Sequence, residues 1–386
     1  MKTSKRRRIW AAIVATAALV GSAAPAMATP PLGGNCSDVS IPVTTGPPSA
    51  GHFTHIAGTY CLPDNPSPTL QILIPGATYD RSYWNFPGFD GRYSYTQYAT
   101  RAGLATVALD PIGVGESTKP VGWQVSAMSA AQAVHDIIRA ARTGALGRSW
   151  AGVVLVGHSF GSLTAMLEAG TYRDVDGLLI SGASHIPGPG GIASIASAAR
   201  PALDDPATAG QVPSGDLGYL SVPGIRRDSF YAPDDSDPRV IAQDETSRTA
   251  GTIGILATIP VFIPSTFDIE MPVLVANGSS DKVFCAQGGG GSPTDCSSAE
   301  ALYRSERPFF PRAMLQTYVL PRAGHSMNLA LNESGTQQYG VLRACHRMGT
   351  EPSLGVMQLP LGADGHRAGR SRLLRRPPIR TTASNE

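Results

Sequence analysis

Four branched aliphatic residues, Val153, Val154, Leu155 and Val156, run directly into Gly157-His158-Ser159-Phe160-Gly161, and a helix-compatible segment over 162–169 follows at once. A strand that reverses into a helix within five residues needs a sharp turn whose central residue has a strained backbone. The flanking glycines suit that turn, because without a Cβ they let neighbouring chain pass close. Ser159 is thereby thrust out at the carboxyl edge of the sheet to which the strand belongs. The strand itself is apolar at every position, so its sheet must be covered on both faces.

The rest of the chain fits such a sheet. Strand-like and helix-like runs alternate, which predicts an α/β fold: a mainly parallel sheet with helices on both faces. Strands are expected at 69–74, 104–109, 152–156, 177–180, 272–276 and 313–320, and helices at 93–102, 126–143, 162–169, 299–305 and 333–344. In the second of these helices Met128, Ala131, Val134, Ile137, Ile138 and Ala141 recur at three-and-four spacing, one apolar face of an amphipathic helix. Gly103 supplies the stop of the first. The alternation breaks at about 182–268, a stretch rich in Gly, Pro, Ser and Asp, expected to be a partly helical cap insertion over the sheet edge.

Both ends differ from this core. Lys2, Lys5, Arg6, Arg7 and Arg8 precede an apolar run over 9–20 and then Ala26-Met27-Ala28, the order of a secretory signal peptide comprising residues 1–28. The run is shorter than the roughly 20 residues a membrane span needs, and no similar run follows, so no stable span is expected after cleavage. A domain over 29–346 would then give way to 347–386, an arginine-rich tail without apolar period, expected to be disordered. Basic residues crowd these two ends, so behind the formal net charge of +2 the middle of the chain is near neutral or slightly acidic. The middle has no basic groove lined with aromatics, which argues against nucleic acid as a partner.

Export also bears on the five cysteines, since disulfides persist in oxidising compartments. Cys36 and Cys61 flank the first expected strands, and Cys285 and Cys296 bracket the glycine run 288–291. The economical pairing is local within each couple, which leaves Cys345 over. No Cys-x-x-Cys or His-x-x-x-His spacing occurs, so the sequence offers no recognisable zinc site and implies no metal or cofactor.

A serine hydroxyl is a weak nucleophile near neutrality and needs a base within hydrogen-bond reach. Of eight histidines, His325 stands in the loop directly after the last expected strand, at the same sheet edge as Ser159. His158 is expected to point away on the elbow and pack, and His135 to sit on its helix as a boundary residue. The base in turn needs a carboxylate to fix its tautomer. Asp281 follows strand 272–276 at that edge, whereas the position after strand 177–180 reads Gly182-Ala183-Ser184-His185 and offers none. Two N–H donors must face a developing oxyanion. Phe160, next after Ser159, is one, and Ala77, in the turn Pro75-Gly76-Ala77, is the other, with Thr78 as second choice.

These motifs resemble the α/β-hydrolase superfamily over residues 61–344. Ile74-Pro75-Gly76-Ala77 is similar to its oxyanion turn, with Pro75 where the family usually has histidine. Asp110-Pro111-Ile112-Gly113-Val114-Gly115-Glu116-Ser117 matches its Asp-x-x-Gly-x-Gly-x-Ser loop, and the elbow, Asp281 and His325 follow in the family's order. The resemblance implies a secreted serine esterase or lipase acting through an acyl-enzyme on a small-molecule ester. It does not fix the substrate, since the fold hosts many chemistries.

Tyr79, Tyr83, Trp84, Phe86 and Phe89 after the oxyanion turn, with Phe262, Ile263 and Phe267 near the end of the insertion, are expected either to form an apolar substrate pocket or to pack as ordinary core. His185 is a further pocket candidate. A lactonase would share every residue named. An aminopeptidase would need a carboxylate pair for a free amine, for which Asp234, Asp235 and Asp237 are available, and a non-catalytic binding protein would keep the fold without the chemistry. The oligomeric state is open.

Overall fold

The structure, a computed structural model, describes residues 35–44, 54–258 and 265–331. The expected signal peptide, the helix at 333–344, Cys345, the basic tail, Phe262 and Ile263 lie outside those residues. Eight strands form one sheet in the order β1-β2-β4-β3-β5-β6-β10-β11: β1 (Asn35–Val43), β2 (Thr54–Leu62), β3 (Thr69–Ile74), β4 (Ala105–Leu109), β5 (Gly152–His158), β6 (Gly177–Ser181), β10 (Pro272–Gly278) and β11 (Met314–Leu320). The six strands from β4 to β11 are parallel, and β2 pairs antiparallel with both β4 and β1. The chain is thus an α/β fold with a mainly parallel sheet.

Strand β5 sits among the central strands, and its residues 153–158 are all buried. Because successive side chains point to opposite faces, this pattern requires cover on both. Helices α1 (Tyr95–Arg101), α2 (Ala127–Thr143), α3 (Phe160–Tyr172) and α7 (Ala299–Glu306) supply much of it. Each expected strand and helix among the described residues forms, with ends shifted by a few residues at most. The cysteines stand differently: Cys36 and Cys61 lie inside β1 and β2, directly opposite each other in register, rather than flanking them. They form one disulfide and Cys285 with Cys296 the other.

Between β6 and β10 the chain does hold strands, which composition hid. β7 (Arg200–Pro201), β8 (Tyr219–Ser221) and β9 (Gly251–Thr252) make a small antiparallel sheet, accompanied by α4 (Pro189–Ala198), α5 (Pro238–Thr246) and α6 (Ile253–Ala257). Strands of two or three residues are too short to show a period. The Arg248 guanidinium secures this unit by a bidentate pair with Asp205 at 2.6 and 2.8 Å, and Asp205 also accepts from Ser221. That pairing holds the Asp205 carboxyl down at about 2.

Helix α2 has signals at both ends. Ser126 accepts from the Ser129 N–H and Ser129 reciprocates on the Ser126 N–H, a capping box, while Gly144 closes the helix in the left-handed region at φ 87°. Ser126→Ala should remove one orphan-donor bond and lower unfolding free energy by about 1 kcal/mol, measured by urea denaturation. An unchanged midpoint would mean that packing alone holds this end.

Candidate active site

The elbow has the predicted strain. Ser159 sits at φ 51° and ψ −119°, between β5 and the first residue of α3. A Cβ on Gly157 would come within 2.4 Å of Ser162 Cα, and one on Gly161 within 2.2 Å of the Ile74 carbonyl oxygen. The turn after β3 therefore crosses the elbow backbone to backbone. Gly76 completes the crossing, since a Cβ there would stand 3.0 Å from Ser159 Cβ.

Two other strand ends deliver the partners. His325 Nε2 lies 2.8 Å from Ser159 Oγ, and its Nδ1 lies 2.9 Å from Asp281 Oδ2. The other carboxylate oxygen of Asp281 accepts from the backbone N–H of Val283 and Phe284 at 2.7 and 3.1 Å. His325 and Asp281 are buried and Ser159 is half-buried. The loops carrying Asp281 and His325 are stitched together by Ser279 N–H to Leu320 O and Ser280 N–H to Ala323 O, both 2.9 Å. Gly278 permits that approach, as a Cβ there would meet the Gly324 carbonyl at 2.3 Å. The glycine run after Asp281 is packed rather than open: a Cβ on Gly288 or Gly290 would overlap the Asp281 or Lys282 carbonyl at 2.1 or 1.8 Å.

Ala77, Thr78, Ser159 and Phe160 line one cavity of about 400 Å³. Phe160 opens α3, so its N–H belongs to the helix's amino end. The remaining lining is overwhelmingly aliphatic: Ile56, Ala130, Val134 and Ile137 on one side, Ile192, Ile195, Ile255 and Leu256 from the segment between β6 and β10 on another. The apolar face of α2 was legible from its spacing, but not that part of it borders a cavity.

The pocket expectations need correction. Tyr79 does line the cavity. Trp84 does not; it is buried in the core against Tyr83 and Tyr95. His185 is also core: Nδ1 pairs with Glu306 at 2.7 Å, Nε2 meets Thr266 at 2.8 Å, and Phe309 stacks on the ring. Its strand end faces α7 instead of the cavity. Tyr83, Phe86 and Phe89 pack in or against the core, and Phe267 is exposed. Asp234, Asp235 and Asp237 do not line the cavity; Asp237 instead caps α5 and pairs with Arg239.

A buried network escaped the sequence reading. Arg226 is fully buried, donates to Thr78 Oγ1 and to the Thr78 carbonyl at 3.0 Å each, and pairs with Asp244 at 3.3 Å. Asp244 accepts from the hydroxyls of Tyr79 and Tyr231, both at 2.8 Å, and Tyr79 stands 3.0 Å from Ser326, next to His325. Thr78 has φ 65°, a conformation unusual for a β-branched residue. The segment between β6 and β10 thus grips the turn that holds Ala77. Nothing in the sequence around Arg226, where Arg227 follows directly, signals such a role.

Ser159, His325 and Asp281 thus stand in a hydrogen-bonded row at the carboxyl edge of this sheet. Residues 71–334 match the alpha/beta hydrolase family, and the chain belongs to it. Solved structures share the fold at low identity. An epoxide hydrolase from Vigna radiata is 11% identical with a TM-score of 0.53, covering 81% of this chain and 98% of that one. An alpha/beta hydrolase from Novosphingobium aromaticivorans DSM 12444 is 15% identical with a TM-score of 0.50, covering 81% and 99%. A membrane phospholipase A, described as a bacterial virulence factor, is 19% identical with a TM-score of 0.50, covering 81% and 87%. No curated protein matches the chain.

His158 is buried, stacks on Tyr83 at 4.3 Å, and neither ring nitrogen has a partner. Burial, then the nearby His325 and Arg226, push its pKa well below the ordinary 6.5. Below that pH the unfolded chain binds a proton that the native state refuses, so stability falls as pH drops. The slope develops as pH falls below about 6.5 and is bounded by one proton's worth, about 1.4 kcal/mol per pH unit. His158→Met should flatten it by that amount in denaturation curves; an equal slope in both proteins would assign the proton elsewhere.

The Arg226–Asp244 pair gives a second expectation. Arg226→Met strands a buried carboxylate and should cost about 3–5 kcal/mol, whereas Arg226→Met with Asp244→Asn should cost less than that single change. Strict additivity in the cycle would refute the coupling.

Proposed function

We propose that the chain is a secreted serine hydrolase that cleaves carboxylic esters with apolar acyl groups. The observation that carries this reading is the Ser159–His325–Asp281 relay opening into a cavity of aliphatic side chains. Ser159 Oγ attacks the ester carbonyl as His325 Nε2 takes its proton, and Asp281 holds Nδ1–H and stabilises the imidazolium. The N–H groups of Phe160 and Ala77 face the oxyanion of the tetrahedral intermediate. Collapse expels the alcohol, protonated by His325, and leaves an acyl-enzyme. Water, deprotonated by the same imidazole, then releases the acid.

The cavity favours an apolar acyl chain because burying each methylene contributes about 0.8 kcal/mol. Residues 182–268 act as its cap, since α4 and α6 contribute Ile192, Ile195, Ile255 and Leu256. The fold alone does not choose the chemistry, as structures described as a phospholipase and an epoxide hydrolase share it. Secretion is supported by the leader-like order of residues 1–28 and by two disulfides, which persist in oxidising compartments. No helix among the described residues is long and apolar enough to cross a membrane.

A fluorophosphonate probe should label the wild type and not Ser159→Ala, whose ester hydrolysis should fall by several orders of magnitude with the fold intact. Along a p-nitrophenyl ester series, kcat/KM should rise roughly fourfold per methylene until the cavity is filled. Labelling that survives Ser159→Ala would sink the assignment of the nucleophile; a flat series would sink the acyl pocket.

A further inference from the structure

Helices α2 and α3 pack against each other, and beside their contact lies a cluster that the proposed chemistry does not use. His135 Nδ1, on α2, stands 3.6 Å from Glu168 Oε1, on α3, and 2.9 Å from Asp174 Oδ2, just past the end of α3. One donor atom from each residue lies within 4.8 Å of the other two.

Glu168 is fully buried, and neither of its carboxylate oxygens has a hydrogen-bond partner. Asp174 Oδ1 and His135 Nδ1 are buried atoms in the same condition. The 2.9 Å approach of Asp174 to the ring therefore lacks the alignment that a hydrogen bond needs. Among the described residues no lysine or arginine pairs with either carboxylate. Buried polar groups are normally satisfied, and an unpaired dry carboxylate is costly.

Two occupants can relieve this cost. A proton shared between the carboxyl groups satisfies that pair and leaves the imidazole nitrogen unmatched. A cation at the centre engages one atom from each of the three side chains. We propose that His135, Glu168 and Asp174 bind a divalent cation of the zinc class. One imidazole nitrogen with two carboxylate oxygens suits a late first-row ion, whereas calcium takes 6–8 oxygen ligands and magnesium an octahedral set rich in water.

The surroundings fit a structural site. The side chains of His135 and Asp174 are 20% and 28% exposed, which leaves one side open for entry and for a water as fourth ligand. Tyr172 stacks on the His135 ring at 4.0 Å, and its hydroxyl donates to Gln132 at 2.8 Å, so the imidazole plane is fixed from outside the cluster. Val134, beside His135, borders the cavity, and α3 begins at Phe160 beside Ser159. The ion ties a wall of that cavity to the helix behind the nucleophile. Its binding does not depend on which ester the chain hydrolyses.

The full chain, stripped with chelator and dialysed, is titrated separately with zinc, calcium and magnesium chloride. Zinc should bind at one equivalent by inductively coupled plasma mass spectrometry and raise the melting temperature by roughly 5 °C at a hundredfold excess over its dissociation constant. Calcium and magnesium should do neither. Glu168→Gln, a neutral isostere of the protonated acid, should keep the metal-free melting temperature and weaken zinc at least tenfold. His135→Asn, at the partly exposed edge, provides the same comparison should the buried substitution fail to fold. A wild type that holds no zinc and melts identically with and without it would overturn the site in favour of a shared proton. Equal zinc uptake by wild type and both variants would place the metal elsewhere.

Discussion

Where the turn after β3 crosses the end of β5, main chain lies on main chain with no room for a Cβ at Gly157 or Gly161 and only a tight fit at Gly76. That contact fixes three things at once. It holds Ser159 in a backbone conformation that few residues tolerate, it presents the amino end of α3 beside the serine, and it lays Ala77 alongside both. The strain at one residue is compensated by the fully buried aliphatic strands on either side of it. A side chain at Gly157 or Gly161 would have to push main chain apart.

Asp281 and His325 reach this point by a second close contact, of the same physical kind. Gly278 lies against the main chain of residues 323–324, so the loops after β10 and β11 travel together. The Asp281 carboxylate has both oxygens occupied, one by backbone donors and one by His325, which leaves it a single orientation. Arg226 and Asp244 extend the frame into the segment between β6 and β10. They link the Thr78 turn, Tyr79 and the Ser326 loop, so the wall of the cavity and the turn after β3 are one mechanical unit.

Helix α2 serves two surroundings. Ala130, Val134 and Ile137 border the cavity, while His135 turns toward α3 and the Glu168 and Asp174 carboxylates. Its amphipathic period announced burial of one face, and burial against a cavity and burial against a core leave the same period in sequence. The aromatic residues after the oxyanion turn show the converse. Trp84 and its neighbours stand where a pocket could have formed, yet they fill the core, and aliphatic residues from distant segments line the space near Ser159.

Local pattern determined the parallel core, the elbow and the order of Ser159, Asp281 and His325, because each depends on residues close in the chain: an apolar strand, a glycine turn, a polar residue just after a strand. The sheet then brings strand ends together by its own geometry, so these positions could be read without a structure. The tertiary fold alone decided the cavity walls, the placement of Trp84 and His185 in the core, the small sheet of β7 to β9, and the meeting of His135, Glu168 and Asp174. Several of those features join residues far apart in the chain, as His135 with Glu168 and His185 with Glu306 do. Which distant side chains meet is set by the packing of whole elements, and no period or spacing along the chain records it.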